Sequence, residues 1–129
     1  MTGVPIIPKA LLGSGRQLDI SPGMISGDHV FLTGMTGSLP DGSMPENPAV
    51  QFRSAFDKIA AVLAAVDLDL NAVVEMTSYH IDLQRHFDQF DAVRLNMLSA
   101  PYPAWTAVEV AGLRRQGALV EIRAVAHLG

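Results

Sequence analysis

The chain has 129 residues, 49% hydrophobic and 17% charged, with a formal charge of −4 from 13 acidic and 9 basic side chains. This is the size and balance of one packed domain, not of a disordered or two-domain chain. The absence of cysteine removes disulfides, thiolate metal sites and a thiol nucleophile. The densest basic spot is Arg114-Arg115, too little to displace counterions from phosphates, so no nucleic-acid partner is expected.

In chain order, residues 1–15 mix Gly, Pro and small apolar residues and are expected to wander along the surface. Pro5, Pro8 and Lys9 interrupt the apolar start, against a signal peptide, and no apolar run approaches the ~20 residues of a membrane span. No membrane partner and a cytoplasmic location follow as expectations. Residues 18–24, broken by Pro22-Gly23, fit a short edge strand. Ser26-Gly27-Asp28-His29 reads as a turn into a hairpin strand over residues 30–35, and residues 37–48, with three prolines, as a loop.

Asn47-Pro48 is a helix start, with a capping side chain before proline at the first helical position. Phe52, Ala55, Phe56, Ile59, Ala60, Leu63 and Val66 follow at three-and-four spacing, which predicts a helix over residues 48–66. Gln51, Arg53, Asp57 and Lys58 lie off that stripe. Residues 73–81 read as a strand. Asp82 can cap a second helix whose Phe87, Phe90, Val93, Met97 and Leu98 face inward, and Pro101 and Pro103 forbid its extension. Residues 105–111 and 119–127 are read as two strands of a closing hairpin. The expected fold is α+β, a single domain in the order β-β-α-β-α-β-β, with two helices packed on one face of a mixed sheet.

Alternation divides the last two strands into faces. Thr106, Val108 and Val110 join Val120, Ile122, Ala124 and Ala126 under the helices. In simple hairpin register, Trp105, Ala107, Glu109 and Ala111 share the other face with Leu119, Glu121, Arg123, Val125 and His127. Two helices cannot cover both faces of a sheet. The free face either meets water, with Glu121 and Arg123 as solvated charges, or meets a partner subunit and leaves a pocket lined by Trp105, Glu109 and Glu121. The high apolar share also points to surface buried between subunits.

The chain resembles the reactive intermediate deaminase family, whose members are also called YjgF-like or L-PSP endoribonuclease proteins. The resemblance covers about residues 18–127. It is carried by Ile20-Ser21-Pro22, Val30-Phe31-Leu32-Thr33-Gly34, residues 73–77 leading to Asp82, residues 103–111 (Pro-Ala-Trp-Thr-Ala-Val-Glu-Val-Ala) and Leu119-Val120-Glu121-Ile122. It implies a chorismate-mutase-like fold, a homotrimer with pockets between neighbouring subunits, and a small-molecule ligand. It also implies hydrolysis of enamines or imines to 2-oxo acids and ammonia without a cofactor. Carried over residue by residue, Glu121 matches the glutamate that orders the attacking water. Thr33-Gly34 match the Ser-Gly pair that helps hold the substrate. Ala107 stands at the small-residue position, and Asp91 where many relatives have asparagine.

The family's carboxylate-binding arginine position is Trp105. Indole offers one neutral N–H in place of a charged fork, and losing a charge-assisted bond of ~1.5–3 kcal/mol weakens a carboxylate ligand about ten- to a hundred-fold. Trp105 then either walls a site for a neutral, flat ligand other than a simple 2-imino acid or merely fills space between subunits. Arg123 could stack on Trp105 as a displaced charge or pair with Glu109 or Glu121. Two functions follow: an imine or enamine deaminase with Glu121 as water-orienting base, or a non-catalytic trimer that binds a small metabolite or a protein. Ribonuclease activity is disfavoured by the acidic balance. His29, His80, His86 and His127 lack metal-ligand spacing, the Gly-Ser-Gly at 13–15 lacks a phosphate-loop context, and Ser21, Ser26 and Ser78 have no evident triad partners.

Overall fold

A computed structural model describes residues 3–8 and 19–129. Seven segments at the centre of the fold lie close to where periodicity puts them. Strand β2 (Gly23–Ser26) turns at Gly27, whose φ of +61° suits a residue without a side chain, into β3 (His29–Thr36). Helix α1 (Pro48–Ala64) begins at Asn47, whose Oδ1 accepts the Ala49 N–H at 2.9 Å. It ends two residues short of the expected 66. A short 3-10 turn (Leu70–Ala72) leads into β4 (Val73–His80), then come α2 (Leu83–Met97), β5 (Ala104–Glu109) and β6 (Val120–His127).

Two expectations about the N-terminal region change. Residues 4–6 do not wander: Val4–Ile6 forms strand β1, paired antiparallel to β2, and it takes the sheet edge that had been expected at residues 18–24. The expected loop at 9–15 lies outside the described residues. At the start of α2, Asp82 occupies the capping position in a left-handed conformation (φ 53°) and its side chain caps nothing. Glu109 does that work from β5, its Oε1 accepting the Leu83 N–H at 3.0 Å.

The described strands form one six-stranded sheet in the order β1-β2-β3-β6-β4-β5. The N-terminal hairpin is present, but the expected C-terminal hairpin is not. β5 runs parallel to β4 at the sheet edge, with Trp105 opposite Met76, and β6 inserts antiparallel between β3 and β4. The reason is connection length: β4–α2–β5 is a strand–helix–strand unit, the ordinary route to a parallel pair. The ten residues from 110 to 119 then carry the chain back across the end of β4. Both ends of that crossing are tied to it, by Val110 N–H to the His80 carbonyl (2.9 Å) and Ile81 N–H to the Leu119 carbonyl (3.0 Å).

Both helices cover one face. Phe52, Phe56, Ile59 and Leu63 of α1 and Phe90 of α2 are essentially fully buried against Val30, Leu32, Val120, Ile122 and Ala126. At ~1.5–3 kcal/mol per buried large side chain this layer is the main source of stability. The other face carries Glu121, Arg123, Val125 and His127 of β6 with Phe31 of β3, and Phe31 keeps 41% of its surface exposed.

Candidate functional site

The site is built where β3 outruns its neighbour. β2 pairs only with His29–Leu32, and the pairing of β3 to β6 slips between Leu32 and Met35. Thr33 and Gly34 therefore form a bulge, two residues opposite the single Arg123 of β6, a common device for aiming groups at a site. Thr33 is anchored on the preceding segment, its Oγ1 donating to the Ser21 carbonyl (2.6 Å) and its N–H to the Pro22 carbonyl (3.0 Å). Gly34 lets the Glu121 side chain lie across the backbone. A Cβ at 34 would sit 2.5 Å from Glu121 Oε2 and 2.9 Å from its Cδ and Cγ. The result is a cleft of about 650 Å³ lined by Ile20, Thr33, Gly34, Met35, Thr36 and Glu121, and also by three cations: Lys58, Arg114 and Arg115. That volume lies within the range of small-molecule sites.

The cations come from α1 and from the 110–119 crossing. Lys58 donates to Ser38 Oγ at 2.9 Å. Burial, with the nearby Arg115 charge as a second cause, lowers its ammonium pKa from 10.5 to about 8. Arg115 donates to the Gly42 carbonyl. The crossing is held down by Gln51, a buried polar residue of α1 that donates to the Pro45 (2.8 Å) and Gly117 (3.0 Å) carbonyls and accepts the Leu119 N–H (2.9 Å). On the other flank of Glu121 a second hollow is lined by Tyr79, Arg114 and Arg123. Sequence periodicity reads Lys58 and Gln51 only as residues off the apolar stripe, and nothing local signals their use. Arg114-Arg115 stands out as a basic pair, yet a pair alone does not say what it faces.

Trp105 lies elsewhere. Its ring is parallel to Phe87 (8°, centroids 5.9 Å apart), tilts against Phe90 (6.0 Å), and carries the Arg94 guanidinium 4.4 Å above its centre. All three partners are on α2, so Trp105, with Ala107 and Glu109 in the same alternation, belongs to the helix face. The expected face shared by Trp105, Glu109 and Glu121 within one chain is thus overturned. The cause is the parallel β4–β5 pairing, which sets Trp105, Ala107 and Glu109 beside the inward-facing Met76, Ser78 and His80. The cation on the indole is Arg94, not Arg123. Arg94 also lies 5.6 Å from the Tyr102 ring centre and pairs with Asp91 at 2.7 Å. Arg123 makes no ion pair with Glu109 or Glu121 among the described residues. The placements can be stated simply. Glu121, Thr33 and Gly34 come together, with Arg123 beside them. Trp105, Ala107, Asp91 and Glu109 gather along the β5 edge.

Beneath Trp105 sits a buried polar chain. The indole N–H donates to Ser78 Oγ (2.8 Å), and the Ser78 hydroxyl is in turn hydrogen-bonded to His80 Nε2 (2.8 Å). Burial, with His86 as a second cause, lowers the His80 pKa from 6.5 to about 4. Among the described residues no cluster of three or more His, Asp or Glu could hold a metal ion, and no helix is long and apolar enough to cross a membrane.

A two-helix, mixed-sheet α+β domain with a bulged third strand and a glutamate-bearing cleft defines a recognisable class. The sequence profile of the endoribonuclease L-PSP family matches residues 18–128, and the chain belongs to that family. Among its relatives is RutC family protein YjgH of Escherichia coli K12, 38% identical over 104 residues, 80% of this chain and 78% of that protein. The solved structure of protein YJGH superposes with a TM-score of 0.84 at 30% identity, covering 99% of this chain and 98% of that one. RidA from an Antarctic Psychrobacter gives 0.80 at 31% identity, covering 88% and 91%. E. coli TdcF with bound serine gives 0.78 at 26%, covering 88% and 91%. The α+β class expected from the sequence is the class of these structures.

Proposed function

We propose that the chain is a cofactor-independent imine or enamine deaminase that acts as a homotrimer, with Glu121 orienting the attacking water. The observation that carries this reading is the carboxylate of Glu121 held against Gly34 in a cleft of small-molecule size. A carboxylate there can take a proton from water as its oxygen adds to the C=N carbon. It can return that proton to nitrogen to give a carbinolamine, then take the carbinolamine's hydroxyl proton and pass it to the same nitrogen as the C=O forms and the C–N bond breaks, so that imine and water become carbonyl compound and ammonia. An enamine first gains a proton at carbon and then follows the same course. Serine bound to TdcF supports a small, amino-acid-like ligand for this fold.

The trimer gives the two separated groups a common purpose. Trp105 and Ala107 lie on the sheet edge at β5, Glu121 and Thr33-Gly34 on the opposite face and flank. A pocket containing both sets needs the β5 edge of one copy against the cleft of the next. There Trp105, its N–H already given to Ser78, stands where a guanidinium would fork onto a carboxylate, which favours an imine or enamine other than a simple 2-imino acid.

Light scattering should give three times the 13.8 kDa chain mass. Imines generated in situ by an amine oxidase should be hydrolysed faster with the protein than without it, and Glu121→Gln should remove about 10²–10⁴-fold of that acceleration. Unchanged turnover in the variant would refute the role of Glu121. Saturable ligand binding without turnover would make the protein a binding module instead.

A further inference from the structure

We propose that the cleft beside Glu121 is a receptor for a doubly charged anionic group, a phosphate monoester or a pair of carboxylates, with Lys58, Arg114 and Arg115 as its cations. The proposal deepens the deaminase reading, which supplies only the reactive end at Glu121; the receptor itself is read from charge and geometry.

The cleft is anomalous for this chain. Acidic residues outnumber basic ones 13 to 9, yet three of those nine cations line one cleft with a single carboxylate. Three positive side chains and one negative leave a formal surplus of two charges, which a dianion matches and a chloride or single carboxylate does not. The surplus is not cancelled locally. Among the described residues no carboxylate comes within ion-pair distance of Lys58, Arg114 or Arg115, and the partners of Lys58 and Arg115 are a hydroxyl and a backbone carbonyl. Arg94, by contrast, has Asp91 at 2.7 Å. Arg114 and Arg115 are exposed and Lys58 is half-buried, so the crowding of like charge costs the empty protein free energy mainly at Lys58. The lowered pKa of Lys58, caused by burial and by Arg115, is a second sign of that crowding. An entering anion would relieve it.

The receptor is also held in place before a ligand arrives. Two hydrogen bonds of Gln51, to the Gly117 carbonyl and from the Leu119 N–H, fix the crossing that carries Arg114 and Arg115, and Gly117 at φ +83° gives that crossing its turn. Ser38, which holds the Lys58 ammonium, is itself tied to α1 through the Ser54 hydroxyl on its carbonyl (3.0 Å). Preorganised cations lose less entropy on binding than free surface ones. Guanidinium groups suit the planar, two-oxygen edges of phosphate and carboxylate, while an ammonium acts as a point charge between them. A cleft of about 650 Å³ has room for such a group and for the few further atoms reaching to Glu121.

The test is calorimetric titration of the intact protein with phenyl phosphate, with malonate and with acetate, at constant ionic strength. One saturable site per chain is expected for at least one of the two dianions, with acetate at least ten-fold weaker. Phenyl phosphate alone would identify a phosphate monoester, malonate alone a dicarboxylate. Lys58→Met with Arg115→Gln should weaken binding ten- to a hundred-fold. Arg85→Gln, an equal loss of charge on exposed α2 surface, should leave it unchanged. Glu121→Gln should bind the dianion as well as or better than the native chain while losing turnover. Binding that survives in Glu121→Gln, in a protein inactive on every imine offered, would sink the deaminase reading and leave the receptor standing. No saturable dianion site, or equal weakening by Arg85→Gln, would overturn the receptor, as would a site already filled by a carboxylate of a neighbouring copy.

Discussion

Gly34→Ala separates the position of the Glu121 carboxylate from its chemistry. Gly34 does not need a positive φ, so the backbone accepts alanine, and the change should stabilise the chain by ~0.4–1 kcal/mol through the unfolded state. Against this, the new Cβ would lie 2.5 Å from Glu121 Oε2 and 2.9 Å from its Cδ and Cγ. Three consecutive atoms cannot be cleared by a small terminal swing, so the side chain must leave its rotamer, at ~0.5–1.5 kcal/mol. The two effects nearly cancel, and the melting temperature should stay within about 4 °C of the native value. Turnover should not survive in the same way. A base displaced by an ångström or more loses its alignment with water, and kcat should fall at least about 100-fold, close to the loss in Glu121→Gln. The assay follows consumption of an imine generated in situ, with the fold checked by circular dichroism and the assembly by light scattering. A well-folded Gly34→Ala protein with native turnover would refute the placement of Glu121 as the working base.

Acid should weaken the fold through His80: its pKa is depressed to about 4 in the folded chain against 6.5 unfolded, so the unfolded state takes the proton first and stability, complete above pH 6.5, is lost on acidification toward pH 4. At 1.36 kcal/mol per unit the loss approaches ~3 kcal/mol; urea melts at pH 7 and pH 4.5 should show it, and an NMR titration of His80 centred near 6.5 would contradict it. Trp105→Arg should destabilise by ~3–5 kcal/mol, because it removes the stacking on Phe87 and Phe90 and the bond to Ser78 and sets a second guanidinium against Arg94. A thermal melt decides this, and an unchanged melting temperature would show that Trp105 does not pack under α2. Gln51→Leu removes two hydrogen bonds between α1 and the 110–119 crossing and a third to the Pro45 carbonyl, at ~2–4 kcal/mol. Hydrogen exchange at the Leu119 amide should accelerate, while that of the β3 core amides changes far less.

Much of this protein follows from local pattern. The three-and-four stripe from Phe52 to Leu63, the Asn47-Pro48 start, the Gly27 turn and the β-branched run from Val73 are each decided within a few residues, because helix, cap and turn are short-range structures. Glu121 was legible too. Val120, Ile122, Ala124 and Ala126 are so uniformly apolar that the alternate residues could only face outward. β5 was different: Thr106 and Val108 on one side and Trp105 and Ala107 on the other are equally fit for burial, so alternation sorts them into two sets without saying which set goes in. That choice was made by the parallel pairing to β4, which depends on where α2 and the 110–119 crossing lead the chain. The same crossing sets Arg114 and Arg115 opposite Lys58, more than fifty positions away in the sequence. Side-chain alternation is a property of a strand. Which face is covered, and which distant charges meet across a cleft, belong to the order of strands in the sheet, and only the tertiary structure decides that.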